Sequence, residues 1–116
     1  MATLLTVTPL FPAGPSLAEG LRFYTEQLGF AITWQGGEMA GVRRGSAAFN
    51  LVQNSSREWA ENASATIGVD DLDAVYREYE GVAAKVGALE MKSWGRREFH
   101  MVLPSGVCLQ FYQVTG

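Results

Sequence analysis

The two halves of the chain end alike. Ala48-Phe49-Asn50-Leu51-Val52-Gln53 in the first half matches Cys108-Leu109-Gln110-Phe111-Tyr112-Gln113 at the end of the second. Each run closes the same order of elements: strand, helix, then three strands, of which the run is the last. A whole supersecondary unit is therefore repeated, and a fold that ignores the repeat is excluded. One βαβββ unit covers one face of its sheet with its helix and leaves the other bare. Two such units can pair to bury what one cannot.

In the first unit, residues 4–10 read as a buried strand, and Ala13-Gly14-Pro15 as a loop. Ser16 with Glu19 makes a capping box, and Leu17, Leu21, Tyr24 and Leu28 recur at helical spacing as one apolar face. Gly29 suits a helix C-terminus. Residues 30–35 and 39–43 are strands around a Gly36-Gly37 hairpin turn, and Arg44-Gly45-Ser46 turns into the strand at 47–53. Phe30, Ile32 and Trp34 fall on one side of their strand by alternation, with Thr33 on the other. Residues 54–63 are polar apart from Trp59 and read as a linker. The second unit has a strand at 65–69, a helix capped by Asp70 or Asp71 with Leu72, Val75, Tyr76 and Tyr79 on its face, and a strand region at 85–93 broken by Gly87. A closing hairpin follows: residues 97–103, the turn Pro104-Ser105-Gly106, and residues 107–112. The modules are then about 1–53 and 64–116.

At 116 residues the chain is a single domain. A hydrophobic fraction of 47% supports a core and excludes disorder. No apolar run approaches membrane-spanning length, and residues 1–11 lack the basic start and cleavage site of a signal peptide. The single Cys108 cannot staple the domain and fits a reducing, cytoplasmic setting. A net charge of −3 with no basic stripe argues against nucleic acid as a partner.

Two passages carry a resemblance. Leu21-Arg22-Phe23-Tyr24-Thr25-Glu26-Gln27-Leu28-Gly29-Phe30 resembles the helix-to-strand passage of the vicinal oxygen chelate superfamily, which includes glyoxalase I, extradiol dioxygenases, and fosfomycin and bleomycin resistance proteins. Trp94-Gly95-Arg96-Arg97-Glu98-Phe99, with Pro104-Ser105-Gly106, resembles the ending of its bleomycin-resistance-like branch. The resemblance covers essentially the whole chain. It implies an α+β fold of two βαβββ modules whose curled mixed sheet forms a cup, with helices on the opposite face. It also implies a homodimer in which the cups are completed across the interface.

Metal-using members of that superfamily place His and Glu side chains in the cup from the first, fourth, fifth and eighth strands. Carried over by position, the resemblance gives Val7 or Pro9, Asn50, Ser64 and Gln110. A site with no carboxylate and no imidazole cannot offset the dehydration of a divalent ion. The expectation is no metal and no cofactor.

The polar groups that remain are Glu98 and His100, which alternation places on the cup face with Val102, while Phe99, Met101 and Leu103 face the helix. As ligand contacts they join the amides Asn50 and Gln110, the aromatic residues Trp34, Trp59 and Trp94, and Tyr112. Cys108 shares the Gln110 face and reads as a small buried hydrophobe. Aromatic rings around a metal-free cup suit a planar ligand, and Glu38, Glu58, Glu61 and Glu98 suit a cationic one. The function expected is stoichiometric capture of a small molecule such as an antibiotic, with no catalytic residue. The alternative is an enzyme, a glyoxalase-type lyase or isomerase or a dioxygenase, and a ligand-free dimer is a third reading.

Overall fold

The structure, a computed structural model, describes residues 1–114. It contains two separate sheets, one per half of the chain. The first is ordered β1-β4-β3-β2, from the strands β1 (Leu10–Pro12), β2 (Ala31–Gly36), β3 (Met39–Arg44) and β4 (Ala47–Val52). The second is ordered β5-β9-β8-β6, from β5 (Ser64–Val69), β6 (Lys85–Val86), β8 (Arg97–Val102) and β9 (Cys108–Gln113), with the two-residue β7 (Glu90–Met91) also on β8. In each sheet the first strand lies parallel to the last: Leu10 beside Asn50, and Thr66 beside Gln110. The mixed α+β architecture with two modules agrees with the sequence reading.

The helices begin where the sequence places them. Ser16 Oγ accepts from the Glu19 N–H at 3.2 Å ahead of α1 (Leu17–Arg22), which runs on through a π-helical turn, Phe23–Gln27. Of the two aspartates, Asp71 is the cap of α3 (Leu72–Tyr79), accepting from Ala74 N–H at 3.0 Å. A second support was not anticipated. Gln53 Oε1 accepts the Leu17 N–H at 3.0 Å, and Gln113 Oε1 accepts the Leu72 N–H at 2.9 Å. These glutamines close the two matching strand runs. The repeat thus preserves a bond from the last strand of each module to an otherwise unpartnered donor at the start of its helix.

Each helix covers an aromatic half-core. Phe11, Tyr24, Phe30 and Phe49 pack in the first module, with Phe30 stacked on Phe49 at 5.8 Å. Phe99 and Phe111 stack at 4.9 Å in the second, with the Tyr76 ring edge-on to Phe99. One polar knot joins the modules. The Tyr79 hydroxyl donates to the Leu28 carbonyl at 2.5 Å and accepts from Arg44 Nη1 at 2.6 Å, while Arg44 pairs with Glu78 through both Nη groups.

Two expectations fail. Residues 4–10 are not a buried strand: Leu4, Leu5 and Val7 are exposed, and the ladder starts only at Leu10, because Pro9, whose carbonyl accepts the Asn50 N–H at 2.8 Å, has no N–H of its own to carry the pairing further along β4. The segment 54–63 is not simply a linker. It holds the short helix α2 (Arg57–Glu61), capped by Ser56 Oγ on Trp59 N–H at 3.1 Å. Arg57 fastens α2 to the closing hairpin by donating to the carbonyls of Pro104 and Ser105 at 3.1 and 2.9 Å. Among the described residues no helix is long and apolar enough to cross a membrane.

If the paired glutamine bonds hold the helices to their sheets, Gln53→Ala and Gln113→Ala each lower the unfolding free energy by about 1 kcal/mol, read by urea titration. An unchanged urea midpoint in either variant refutes the role for that module.

Candidate ligand-binding face

The helices occupy one side of each sheet, so the other side is open. In the first sheet that face carries Trp34, and a β-bulge puts it there. Ile32 pairs with Val42 but Trp34 pairs with Gly41, so Thr33 is an extra residue in the strand. Simple alternation puts Trp34 on the side of Ile32. The extra residue turns it to the opposite side, that of Gly41 and Asn50. The Nε1–Cδ1 edge of the indole lies over Gly41, and Nε1 donates to Asn50 Oδ1 at 3.2 Å. A methyl group at position 41 would clash with Nε1 and stand 2.6 Å from Cδ1. Trp34 remains 43% exposed, a ring fixed on one face and open on the other.

The second sheet repeats the arrangement with different chemistry. Registers align Gly41, beside Asn50, with His100, beside Gln110. Trp94, 60% exposed, stacks on the His100 ring with centroids 6.3 Å apart and planes at 17°. Beneath them lies Glu98, completely buried. Its Oε2 accepts from Trp94 Nε1 at 2.7 Å and from Arg96 Nε at 2.6 Å, and its Oε1 from His100 Nε2 at 2.9 Å. Burial alone would push this carboxyl up. The bonds from Trp94, His100 and Arg96, with the Arg96 charge, outweigh burial and hold it at about 2, below the ordinary 4.5. Arg96 also lies over the Tyr112 ring, 4.0 Å from its centroid.

The residues expected to form a site are thus sorted. Trp34 and Asn50 meet on one sheet; Trp94, Glu98, His100 and Tyr112 meet on the other, with Gln110 next to His100. Glu98 has no surface left to offer a ligand; it orients three side chains that do. Trp59 is half-buried on α2 and lies on neither strand face. Cys108 is half-buried, and its burial pushes the thiol up against an opposing hydrogen bond with Gln110, so it stays a thiol at neutral pH. Gly41 and Arg96 went unremarked as site residues. A glycine inside a strand is a sign of close approach, and that signal was available for Gly41.

The metal positions carried over by spacing shift by register. Leu10 rather than Val7 or Pro9 lies beside Asn50, and Thr66 rather than Ser64 lies beside Gln110; Ser64 is next to Cys108. Neither set supplies a carboxylate or an imidazole. Among the described residues no three His, Cys, Asp or Glu side chains gather in a way that could hold a metal. The donor chemistry does not fit the superfamily's divalent ion.

Comparison with known proteins gives a consistent picture. Residues 13–111 match the family model described as the glyoxalase/bleomycin resistance protein/dioxygenase superfamily. No curated protein matches the sequence. Among solved structures, the bleomycin-binding protein of Streptomyces verticillus, complexed with copper(II)-bleomycin, superimposes with a TM-score of 0.86 at 26% identity, covering 99% of this chain and 100% of that one. The bleomycin resistance determinant encoded on transposon Tn5 gives 0.82 at 24% identity, covering 95% and 98%. TnmS3, an antibiotic binding protein from Streptomyces sp. CB03234, gives 0.72 at 20% identity, covering 98% and 100%.

Because the folded Glu98 carboxyl sits below its ordinary value, its stabilising contribution is complete above pH 4.5 and is lost as pH falls from 4.5 toward 2. Urea midpoints measured at pH 7 and pH 3 differ more for the wild type than for Glu98→Gln; equal differences contradict the ionised, hydrogen-bonded carboxylate. Gly41→Ala unseats the Trp34 indole, so Trp34 emission moves to longer wavelength in a Trp59→Phe, Trp94→Phe background. An unmoved spectrum shows that the ring is not held against Gly41.

Proposed function

This chain belongs to the glyoxalase/bleomycin resistance protein/dioxygenase superfamily, and within it we propose a binding protein that captures a planar small molecule, of the antibiotic class, without a metal and without breaking a bond. The carrying observation is the pair of immobilised indoles. Trp34 and Trp94 each turn one face to solvent while their N–H groups are held by Asn50 and Glu98. A ring held in place loses little freedom when a ligand stacks on it, so the geometry favours binding. The structural relatives support the ligand class: two are described as bleomycin or antibiotic binding proteins and a third as a bleomycin resistance determinant.

The chemistry of the face supports capture over turnover. A general base must be able to take a proton near neutral pH and reach the substrate. Glu98 is buried, held ionised by three donors, and shielded by Trp94 and Arg96. Cys108 is a half-buried thiol with no activating cation among its contacts. The lyase, isomerase and dioxygenase alternatives have no comparable support. A reducing, cytoplasmic setting suits the lone thiol.

The acting unit in this reading is a homodimer. Residues 1–9 carry Leu4, Leu5 and Val7 into solvent, an exposed apolar arm that no element of its own chain covers. A cleft of about 780 Å³ runs between the two sheets, bounded by Ala47, Phe49, Ala65, Ile67 and Val69. The edge of β5 away from β9 is unpaired, and β1 leaves the Ala47-Ala48-Phe49 half of β4 uncovered. A strand from a second copy would meet both needs at once: apolar cover for the arm and hydrogen bonds for the edges. Docking the two copies also brings a Trp34 face and a Trp94 face together from different chains.

Titration with planar aromatic compounds quenches tryptophan emission saturably, at one ligand per cup, and Trp94→Leu weakens it about tenfold or more. If no compound in the panel binds, the capture reading falls. Calorimetry with nickel, zinc or manganese shows no tight stoichiometric site; one such site overturns the metal-free part. Deleting residues 1–8 turns the dimer into a monomer by sedimentation, whereas a persistent dimer rejects the arm as its seal.

A further inference from the structure

Resting on the capture reading, we infer that Arg96 is a ligand-binding residue, and that the ligand bears an oxyanion, a carboxylate or sulfonate, beside the planar ring that stacks on Trp94. The inference reverses the expectation of a cationic ligand, and it begins with what happens to Glu98. That carboxylate was the acidic group best placed to attract a cation. It is completely buried, and three donors engage both of its oxygens. Its charge is spent inside the protein.

The cation that answers it is not spent. Arg96 donates to Glu98 through Nε alone, at 2.6 Å. A guanidinium has five N–H donors, so four remain on the two Nη atoms. Among the described residues neither Nη has a hydrogen-bond partner. The side chain is 43% exposed, yet it is not free to swing. The bond to Glu98 fixes one edge, and the Tyr112 ring 4.0 Å away holds one face. An arginine normally loses much rotamer freedom when it binds. Here contacts within the protein already restrict those rotamers, and a guanidinium fork matches two oxygens of one anionic group.

The neighbouring charges do not cancel it. Glu90, across from Glu98 on β7, is paired with Lys92 at 3.0 Å. Arg97 alternates to the other side of β8 and pairs with Asp73 at 2.9 Å. Both are complete pairs with partners at the surface. Arg96 differs in kind, because its counter-charge is buried and takes only its Nε, on a side chain that is itself partly exposed. The indole of Trp94 hangs from the other side of the same carboxylate oxygen, Glu98 Oε2. Ring platform and guanidinium are therefore set at a fixed spacing by one atom, which suits a ligand that carries its anion directly on an aromatic ring.

The test uses three probes of one ring system: naphthalene-2-sulfonate, naphthalene-2-sulfonamide and trimethyl(2-naphthyl)ammonium, each titrated into the full chain by tryptophan quenching and calorimetry. The sulfonate binds about tenfold or more tighter than the ammonium probe. Arg96→Lys keeps a positive charge for Glu98 but removes the fork; it lowers sulfonate affinity severalfold, more than it lowers sulfonamide affinity. The double variant Arg96→Met with Glu98→Gln removes the buried charge together with its partner, which guards against simple unfolding, and it abolishes the sulfonate preference. Binding of the probes with the ammonium equal or ahead, or a sulfonate preference that survives the double variant, overturns the inference while leaving capture intact. Binding of none of the three, alongside no binding across the wider planar panel, overturns the capture reading and this inference with it.

Discussion

Each module is closed by a parallel pair, its first strand against its last, and the rest of the architecture follows. Parallel neighbours cannot be joined by a hairpin; the chain must cross over, and a helix is the compact way to do it. The crossover lays α1 and α3 on one side of their sheets and so decides which side is bare. It also brings the C-terminal end of the last strand to the N-terminus of the helix. That is where Gln53 and Gln113 find the Leu17 and Leu72 N–H groups. A polar side chain at this spot satisfies a donor that the helix cannot satisfy itself. The same residue in both halves is then a consequence of the closure.

The bare side is where polar groups must be accounted for. On the first sheet the solution is neutral, an indole N–H on an amide oxygen above a strand glycine. On the second it is ionic, a buried carboxylate with three donors. Burying a charge is costly unless partners surround it, and removing one partner leaves the remainder exposed to that cost. Trp94, Arg96 and His100 are therefore held as a group by Glu98. What the carboxylate does in the fold is impose order on these neighbours.

Much of this was legible in the sequence, and the misses share a cause. Periodicity found the helix faces, with Leu17, Leu21, Tyr24, Leu28, Leu72 and Tyr79 all buried. It also sorted Phe99 and Met101 from Glu98 and His100, and turn chemistry placed Gly29, Gly37 and Gly106, all with positive φ. These are local rules acting on local residues. The bulge at Thr33 is a relation between two strands, so alternation put Trp34 on the wrong side. The register beside Asn50 and Gln110 is also a relation between strands, so spacing alone gave Val7 or Pro9 and Ser64, whereas Leu10 and Thr66 lie beside the two amides. Residues 4–10 have the composition of a strand, but composition does not say whether a strand pairs within its own chain, and here the ladder starts only at Leu10. Glu98 was placed on the correct face. That its oxygens would be used up by neighbours two and four residues away depends on the bend at Gly95, whose positive φ swings Trp94 back over the strand.

The two platforms have come to differ in a way that bears on how the cup works. At equivalent register positions stand Gly41 and His100. Glycine lets Trp34 approach the backbone closely. Histidine instead sets a second ring beside Trp94, which is more exposed than Trp34. In the capture reading proposed above, a ligand spanning both would meet a ring seated against a strand glycine at one end and a ring flanked by a guanidinium at the other. A symmetric cup could bind a molecule in either direction with equal affinity. The difference between a bare backbone floor and an ion-supported one removes that degeneracy, so the duplication supplies the frame and its divergence supplies the orientation.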